Sequence, residues 1–198
     1  IYYEKGDCDA MREVLLDAKN AQNDDPAANH WLALNAERQS DWAKAAEYVQ
    51  ASAALKDEPG LNMRLSYYLS QSGRLDKAVQ VLEAAHERWS NNDQVSYFLA
   101  LGYDDQKRPR EAISLLEKVV ALKPGLRDAR YQLGVIYEKT GQMTQAEAAF
   151  RALLAEKPDD AAVLNYLGYA LAERGLRLDE AEAAIRRAVA LEPANAAY

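Results

Sequence analysis

Few residues of this sequence could support acid–base or metal chemistry, and they lie far apart. There are two histidines, His30 and His86, and one cysteine, Cys8. The histidines fall in different units of a repeat described below, on a first and a second helix, so they are not expected to share a site. We interpret His86 as a structural or surface residue. We interpret His30 either as structural or as a residue that contacts a ligand.

Two pairs of adjacent aspartates could suggest a bound cation. Asp24 and Asp25 form the first pair, and Asp159 and Asp160 form the second. Each pair stands just before a predicted helix, where carboxylates accept hydrogen bonds from free backbone N–H groups, so we interpret them as helix caps. The sequence contains no phosphate-binding loop and no Gly-x-Ser-x-Gly motif. It therefore predicts a protein that is not an enzyme and that holds no metal and no cofactor.

The composition favours a helical, acidic protein. Of the 198 residues, 49% are apolar, and only nine glycines and six prolines interrupt them. The formal charge of −7 would repel a phosphate backbone, so nucleic acid is not expected as a partner. No apolar run reaches the roughly 18 residues of a membrane-spanning helix, so no such segment is predicted.

The elements that must position any functional residue come from a repeat. A leucine recurs every 34 residues, with the first one residue out of step, and a small residue follows it each time. These pairs are Leu32–Ala33, Leu65–Ser66, Leu99–Ala100, Leu133–Gly134 and Leu167–Gly168. An alanine stands twelve residues after each small residue, except that the last unit has one extra residue. These alanines are Ala45, Ala78, Ala112, Ala146 and Ala181. Agreement in three columns predicts a repeated structural unit.

Each unit is predicted to be a helical hairpin. Glycines such as Gly73 and Gly141 break the pattern between the small residue and the alanine, which indicates a tight turn between two helices. Apolar residues follow the alanines at the spacing of one helical face; they are Val49, Leu82, Leu116, Phe150 and Ile185. Prolines end several second helices; they are Pro124, Pro158 and Pro193.

The small residues have a mechanical reason. Two helices approach closely only where one of them lacks a bulky side chain, so we expect Gly134→Leu to push two helices apart. A single hairpin would bury too little apolar surface to offset the entropy of ordering its backbone. Stacking of neighbouring hairpins is therefore expected to be obligatory.

These columns resemble the tetratricopeptide repeat. The fourth full unit carries the family pattern through Leu133, Gly134, Tyr137, Ala146, Phe150 and Pro158, although the family's early tryptophan is absent there. The resemblance implies an all-α protein, a right-handed α-solenoid of stacked helix-turn-helix hairpins that forms a single array over residues 1–198. It looks like a bacterial member of the family. The implied units are a partial repeat 1–25, full repeats 26–58, 59–92, 93–126, 127–160 and 161–195, and the start of a further repeat at 196–198.

The resemblance also implies where a partner would bind. First helices of the family line a concave surface, and second helices form the convex back. The columns that face the concave side select His30, Leu34, Met63, Tyr67, Tyr97, Leu101, Tyr131, Val135, Asn165 and Tyr169. Tyrosines suit recognition of peptides because they join an apolar ring to a polar tip. The alternative is that they pack between helices, which is the interpretation for Tyr103 and Tyr137.

The same columns are predicted to be acidic. They contain Glu37, Asp104, Asp105, Asp128, Glu138 and Glu173 against Arg38 and Lys139. We expect a basic or apolar partner segment, with affinity that falls as salt rises; an ordinary solvated helix face is the alternative. The Lys, Asn and Arg clamp of co-chaperone relatives is missing, since its columns read His30, Leu34, Arg64, Gln94 and Phe98. A receptor for acidic C-terminal tails is therefore not expected.

The predicted function is a non-catalytic scaffold that binds another protein or peptide in a concave groove. Tyr97 and Tyr131 are the first choice of contact residues, and changing both to alanine should weaken binding without loss of thermal stability. The alternative is a regulatory or targeting module of a larger enzyme or cell-envelope complex, such as a lipoprotein adaptor that docks a protease. Both ends of the sequence fall inside a unit, so we expect a longer biological chain or self-association through open repeat ends. Bacterial cytoplasm and the periplasm or envelope both remain open as compartments.

Overall fold

The computed structural model describes residues 8–21 and 26–195. Within these ranges the regular structure consists of eleven α-helices and one short 3-10 helix, Ala53–Lys56, and contains no strand. The first six α-helices are α1 (Cys8–Ala21), α2 (Pro26–Arg38), α3 (Trp42–Gln50), α4 (Pro59–Gln71), α5 (Leu75–Arg88) and α6 (Asp93–Asp105). The others are α7 (Pro109–Leu122), α8 (Arg127–Lys139), α9 (Met143–Glu156), α10 (Ala161–Glu173) and α11 (Leu178–Leu191). The predicted all-α fold of stacked helical hairpins is confirmed.

The helices divide into two units, residues 1–107 and 108–198. In unit 1, α3 packs against α2 and α4, and α5 packs against α4 and α6. In unit 2, α8 packs against α7 and α9, and α10 packs against α9 and α11. Each helix therefore packs mainly on its neighbours in the chain, as expected for stacked hairpins. The predicted partial repeat 1–25 is described only over 8–21, and the predicted repeat start at 196–198 lies outside the described residues.

Each of these hairpin turns contains one residue with a positive φ, in the left-handed region of backbone conformation. Gly73 and Gly141 supply it with φ values of 77° and 78°. Ser40 and Lys107 take the same place in two other repeats with φ values of 57° and 61°, although a side chain there costs about 1–2 kcal/mol. Glycine is therefore favoured in this turn without being required.

Helix ends follow the predicted chemistry. Asp160 caps α10, because its carboxylate accepts a hydrogen bond of 3.3 Å from the backbone N–H of Val163. Asp41 and Asn92 cap α3 and α6 in the same way. The capping interpretation is thus confirmed for Asp160. Asp159 instead forms an ion pair of 2.5 Å with Arg187, and Asp24 and Asp25 lie outside the described residues.

Tyrosine–glutamate hydrogen bonds join first helices to the preceding second helices. In unit 1 the Tyr103 hydroxyl donates to Glu83 at 3.0 Å, and in unit 2 the Tyr137 hydroxyl donates to Glu117 at 2.5 Å. Burial and the Glu117 carboxylate raise the pKa of Tyr137 well above its ordinary value. These two tyrosines therefore pack between helices, as interpreted from the sequence.

The small-residue columns mark the closest approach between the helices of a hairpin. A Cβ on Gly134 would lie 2.8 Å from Cε1 of Phe150, whose ring is fully buried. A Cβ on Gly168 would lie 2.7 Å from Cγ1 of Ile185 and 2.8 Å from the backbone oxygen of Ala181. Both distances are shorter than a carbon side chain permits, so only glycine fits without a shift of the helices.

We expect Gly134→Ala to lower the free energy of unfolding by about 1–3 kcal/mol, because the new methyl group meets the fully buried ring of Phe150. Thermal and urea unfolding measure the change. The matched control is Gly60→Ala, also within a helix, where a Cβ would meet nothing within 4 Å. This control should leave stability unchanged or raise it by up to about 1 kcal/mol. Equal effects of the two substitutions would contradict the close-approach interpretation.

Candidate functional site

An open cavity of about 190 Å³ lies between the first helices α4 and α6 of unit 1. We call it the α4–α6 cleft. Met63 and Tyr67 of α4 line one side, and Phe98, Leu101 and Asp105 of α6 line the other. The second helix α5 forms the floor with Leu75, Ala78, Val79 and Leu82. The cleft is therefore mainly apolar, and the packing of α5 against both first helices builds it.

Two aromatic rings at this cleft remain accessible. Tyr67 is 45% exposed and Phe98 is 40% exposed, whereas the neighbouring Tyr68 is fully buried. The Tyr67 ring packs edge-on against Trp42 with a centroid separation of 5.8 Å, and Phe98 packs against Tyr97 at 5.5 Å. Because a neighbouring ring supports each of them, these aromatic surfaces are already in place before any ligand arrives.

The α4–α6 cleft carries one charged lining residue, Asp105. Its side chain is exposed at the end of α6, and in the part of the chain that the structure describes it forms no ion pair. Polar groups of Ser66, Ser70 and Gln71 complete the lining. The cleft thus offers apolar contacts beside a single negative charge.

A second cleft of unit 1 lies between α2 and α4 and has a volume of about 270 Å³. His30 and Trp31 line it, and Nδ1 of His30 lies 3.3 Å from Nη1 of Arg64. Arginine can only donate, so this His30 nitrogen accepts the hydrogen bond and the imidazole is neutral. Partial burial, followed by the charge of Arg64, lowers the pKa of His30, while Glu58 acts in the opposite direction.

Unit 2 has a cavity of about 210 Å³ between α8 and α10, and its character is different. Arg127 lines it and forms ion pairs of 2.8 Å with Asp160 and 2.9 Å with Glu156. Tyr131 is half-buried there, and its ring packs against Phe150 and Tyr166 with centroid separations of 5.9 Å each. Burial, followed by Asp160, raises the pKa of Tyr131. Tyr131 is thus engaged in packing within the unit.

The structure groups some of the predicted site residues and separates others. Met63, Tyr67, Leu101 and Asp105 meet in the α4–α6 cleft, with Asp104 and Tyr97 on the same helix α6. His30 lies in the α2–α4 cleft, and Leu34 is half-buried on the same helix. In unit 2, Tyr131 is half-buried, Asn165 is half-buried, and Tyr169 is exposed with its hydroxyl 3.4 Å from Glu173.

Two predicted groove residues of unit 2 are buried. Val135 belongs to the core, and Glu138 is only 8% exposed. The Glu138 carboxylate accepts a hydrogen bond of 3.0 Å from Nη2 of Arg174, the residue that directly follows α10. The Glu138 carboxylate therefore links α8 to the end of α10. Because Val135 and Glu138 are buried, neither is a candidate for partner contact.

Sequence reasoning missed Phe98 and Trp31 as exposed aromatic residues beside the unit 1 clefts. Each directly precedes the leucine of its repeat, Leu99 or Leu32. Each also directly follows a residue that the sequence analysis assigned to the groove, Tyr97 or His30. Aromatic residues in that position were a visible signal. The resemblance to the family selected Tyr97 as the groove residue of this helix. In the structure Tyr97 is half-buried and its ring packs against Phe98.

Comparison with known proteins agrees with this architecture. Two family models described as tetratricopeptide repeat match the sequence, one over residues 105–168 and the other over 31–93 and 63–127. A TPR repeat-containing protein of Pseudomonas aeruginosa is 32% identical over 171 residues. BBSome complex member bbs-4 of Caenorhabditis elegans is 26% identical over 208 residues. The matches cover 84% and 98% of this chain, but the chain spans only 28% and 44% of those relatives.

Solved structures of MamA have a similar fold. One MamA crystal structure superposes with a TM-score of 0.71 at 21% identity, covering 84% of this chain and 98% of MamA. MamA from Desulfovibrio magneticus RS-1 gives a TM-score of 0.74 at 20% identity, covering 86% of this chain and 97% of that chain. At such identities the likeness concerns the fold.

The chain belongs to the tetratricopeptide repeat family. This membership supports a role as a protein-interaction scaffold, and the Pseudomonas relative supports the expected bacterial source. Over residues 8–21 and 26–195, no group of three or more metal-ligating side chains is positioned to hold an ion. In those same ranges every helix is too short or too polar to cross a bilayer.

The His30–Arg64 contact predicts a pH dependence. Because the folded pKa of His30 lies below the unfolded value of 6.5, stability is full above pH 6.5 and is lost as the pH falls towards the folded pKa. We expect the melting temperature to drop as the pH falls from about 6.5 to about 5, and to drop less in His30→Gln. Identical pH profiles would contradict this assignment.

The Arg174–Glu138 pair predicts a stability effect in unit 2. Arg174→Ala leaves a carboxylate buried without its cation and is expected to lower the free energy of unfolding by about 1–3 kcal/mol, since the arginine is itself 35% exposed. Lys157→Ala is the control, because that exposed lysine lies 3.9 Å from Asp160. Its effect should stay within about 0.5 kcal/mol. Urea unfolding of the two variants measures the contrast, and equal losses would show that Glu138 does not depend on Arg174.

Proposed function

We propose that this protein is a non-catalytic scaffold that reversibly binds a segment of another protein in the α4–α6 cleft of unit 1. The observation that carries the proposal is the pair of exposed aromatic rings, Tyr67 and Phe98, beside an apolar floor and the exposed carboxylate of Asp105. Exposed aromatic residues supported by packing are typical anchors of protein interfaces. Met63 and Leu101 extend the apolar contact.

The partner segment presents an apolar or aromatic side chain and a nearby lysine or arginine. The apolar side chain enters the cleft over Val79 and Leu82, where it loses contact with water. The cation lies beside Asp105, the one charged lining residue. Because Asp105 is exposed, the charge contributes more to the association rate and to specificity than to affinity.

Binding here requires little reorganisation of the scaffold. Trp42 supports the Tyr67 ring, and Tyr97 supports Phe98. The floor residues Val79 and Leu82 are buried in the core of the unit. Less of the contact energy is therefore lost in ordering the site when the partner arrives.

A second candidate function places the same scaffold within a larger assembly. The chain spans only 28% of the Pseudomonas relative, which favours a module that works beside other segments. In this form it is the regulatory or targeting part of a larger enzyme or of a cell-envelope complex, such as a lipoprotein adaptor that docks a protease. A catalytic domain in the same polypeptide, or a lipidated cysteine upstream, distinguishes these forms from a free-standing scaffold.

The test begins with a pull-down from the native host, identification of the partner by mass spectrometry, and titration of the purified partner. We expect Tyr67→Ala and Phe98→Ala each to raise Kd at least about tenfold, because each removes an exposed anchor of the cleft. The melting temperature should change little for Phe98→Ala. The control is Tyr68→Phe, which removes a hydroxyl that donates a hydrogen bond to Glu37. Because Tyr68 is fully buried, this change should leave Kd unchanged. Unchanged binding by both alanine variants overturns the proposal.

The charge of the partner is tested separately. The Kd of the wild-type protein should rise with salt, and Asp105→Asn should weaken binding and flatten this salt dependence. Glu87→Gln is the control, since Glu87 is an exposed carboxylate on the second helix α5. Tightest binding to an acidic C-terminal tail would contradict the assigned partner chemistry.

A further inference from the structure

An open groove of about 560 Å³ lies at one end of the α4–α5 hairpin in unit 1. We call it the hairpin-end groove. It is lined by Leu55 and Lys56 of the 3-10 helix, Asn62 of α4, and Arg88 and Trp89 at the end of α5. The α4–α6 cleft is lined by different residues, so binding in this groove does not depend on binding in that cleft.

Hydrogen bonds from side chains to backbone carbonyl groups hold the groove in shape. Nδ2 of Asn62 donates at 2.7 Å to the carbonyl oxygen of Leu55. Nη1 of Arg88 donates to the carbonyl oxygen of Lys56, and Cζ of Arg88 lies 5.6 Å from the centre of the Trp89 ring. The guanidinium and the indole are therefore held side by side before any ligand arrives.

The corresponding place in unit 2 is filled by an ion pair. Two repeats after Asn62 and Arg88 stand Arg130 of α8 and Glu156 of α9. Arg130 donates to the Glu156 carboxylate, and the Arg130 side chain is only 13% exposed. It also donates at 2.6 Å to the carbonyl oxygen of Pro124. In this hairpin the first helix supplies the arginine and the second helix supplies its carboxylate.

In unit 1 the arginine is present without a carboxylate. Arg88 bonds to the carbonyl oxygen of Lys56, the counterpart of Pro124, but in the described part of the chain neither Arg88 nor Lys56 forms an ion pair. Both side chains are exposed. Among the described lining residues Glu87 is the one carboxylate, so the groove carries two cations and one anion in a chain of formal charge −7. A carboxylate is the group that a guanidinium binds with the best geometry.

An apolar surface lies beside these cations. Trp89 is half-buried, Ala85 is buried, and Ala84 is exposed at the same end of α5. The residues that follow the later second helices at the position of Trp89 are all charged; they are Lys123, Lys157 and Glu192. The tryptophan therefore gives this hairpin end a broad apolar surface that suits an aliphatic side chain.

We propose that the hairpin-end groove binds an acidic segment of another protein, in which an aspartate or glutamate lies next to an aliphatic residue. The carboxylate pairs with Arg88 and Lys56, and the aliphatic side chain packs on Trp89. The charge of this site is opposite to that of the α4–α6 cleft, where Asp105 is the charged lining residue. Because the cations are exposed, their charge contributes more to specificity than to affinity.

The chain provides its own template for closing the groove. Asn62→Arg together with Arg88→Glu copies the Arg130–Glu156 pair into the α4–α5 hairpin. We expect this double variant to keep a melting temperature close to that of the wild type, because the new arginine finds both a carboxylate and a carbonyl oxygen. It should lose the open groove and its free cation.

Differential peptide selection tests the proposal. A library of random peptides, each fused through its C-terminus to the display protein, is selected on the wild-type protein and on the double variant. We expect the peptides that bind the wild type alone to carry an aspartate or glutamate beside an aliphatic residue. The proposal is overturned if the two proteins select the same peptides, or if the wild-type-specific peptides are basic.

Titration of one selected peptide, synthesised with an amidated C-terminus, keeps the test independent of how well the double variant folds. The Kd should rise at least about threefold in Arg88→Gln, which removes an exposed charge. It should stay unchanged in Lys77→Gln, the matched control, because Lys77 is an exposed cation at the other end of α5. It should also stay unchanged in Asp105→Asn, which separates this site from the α4–α6 cleft. Equal Kd values for Arg88→Gln and the wild type overturn the proposal.

Discussion

The close approach of paired helices is the constraint on which the rest of this structure depends. The ring of Phe150 lies so near Gly134 that a single additional carbon on the glycine would overlap it. Such contact removes the column side chains from water and fixes the distance between the two helices of a hairpin. Neighbouring hairpins within a unit then pack on one another, because a single hairpin buries too little apolar surface to offset the entropy of ordering its chain.

Core packing of this kind leaves the outer sides of the first helices available for other uses. Unit 1 and unit 2 differ in how they use them. In unit 1, Tyr67 and Phe98 stay accessible beside an apolar cleft. In unit 2, the equivalent region is largely occupied, because Tyr131 packs against neighbouring rings and Glu138 is paired with Arg174. Our proposed binding site therefore lies in unit 1, where apolar surface is still exposed.

Much of the fold could be predicted from the sequence because its determinants are local or strictly periodic. Residue size at Gly134 and Gly168 indicated the close contacts, and the recurrence of leucine and alanine indicated the helical hairpins. The site was harder to predict. A small rotation of a helix about its axis decides whether Tyr97 or Phe98 faces outward, and no periodic rule fixes that rotation. Glu138 is buried beside Arg174, which lies 36 residues away in the sequence. The repeat position of Glu138 therefore did not indicate that this carboxylate is buried.

Position-specific photo-crosslinking tests the central claim most directly. p-Benzoylphenylalanine in place of Phe98 reports on the α4–α6 cleft, and the same group in place of Gln80 reports on the exposed side of the second helix α5. With the purified partner, the account predicts a covalent adduct from position 98 and none from position 80. Crosslinking from position 80 alone would contradict the account, because the partner would then bind the second helices.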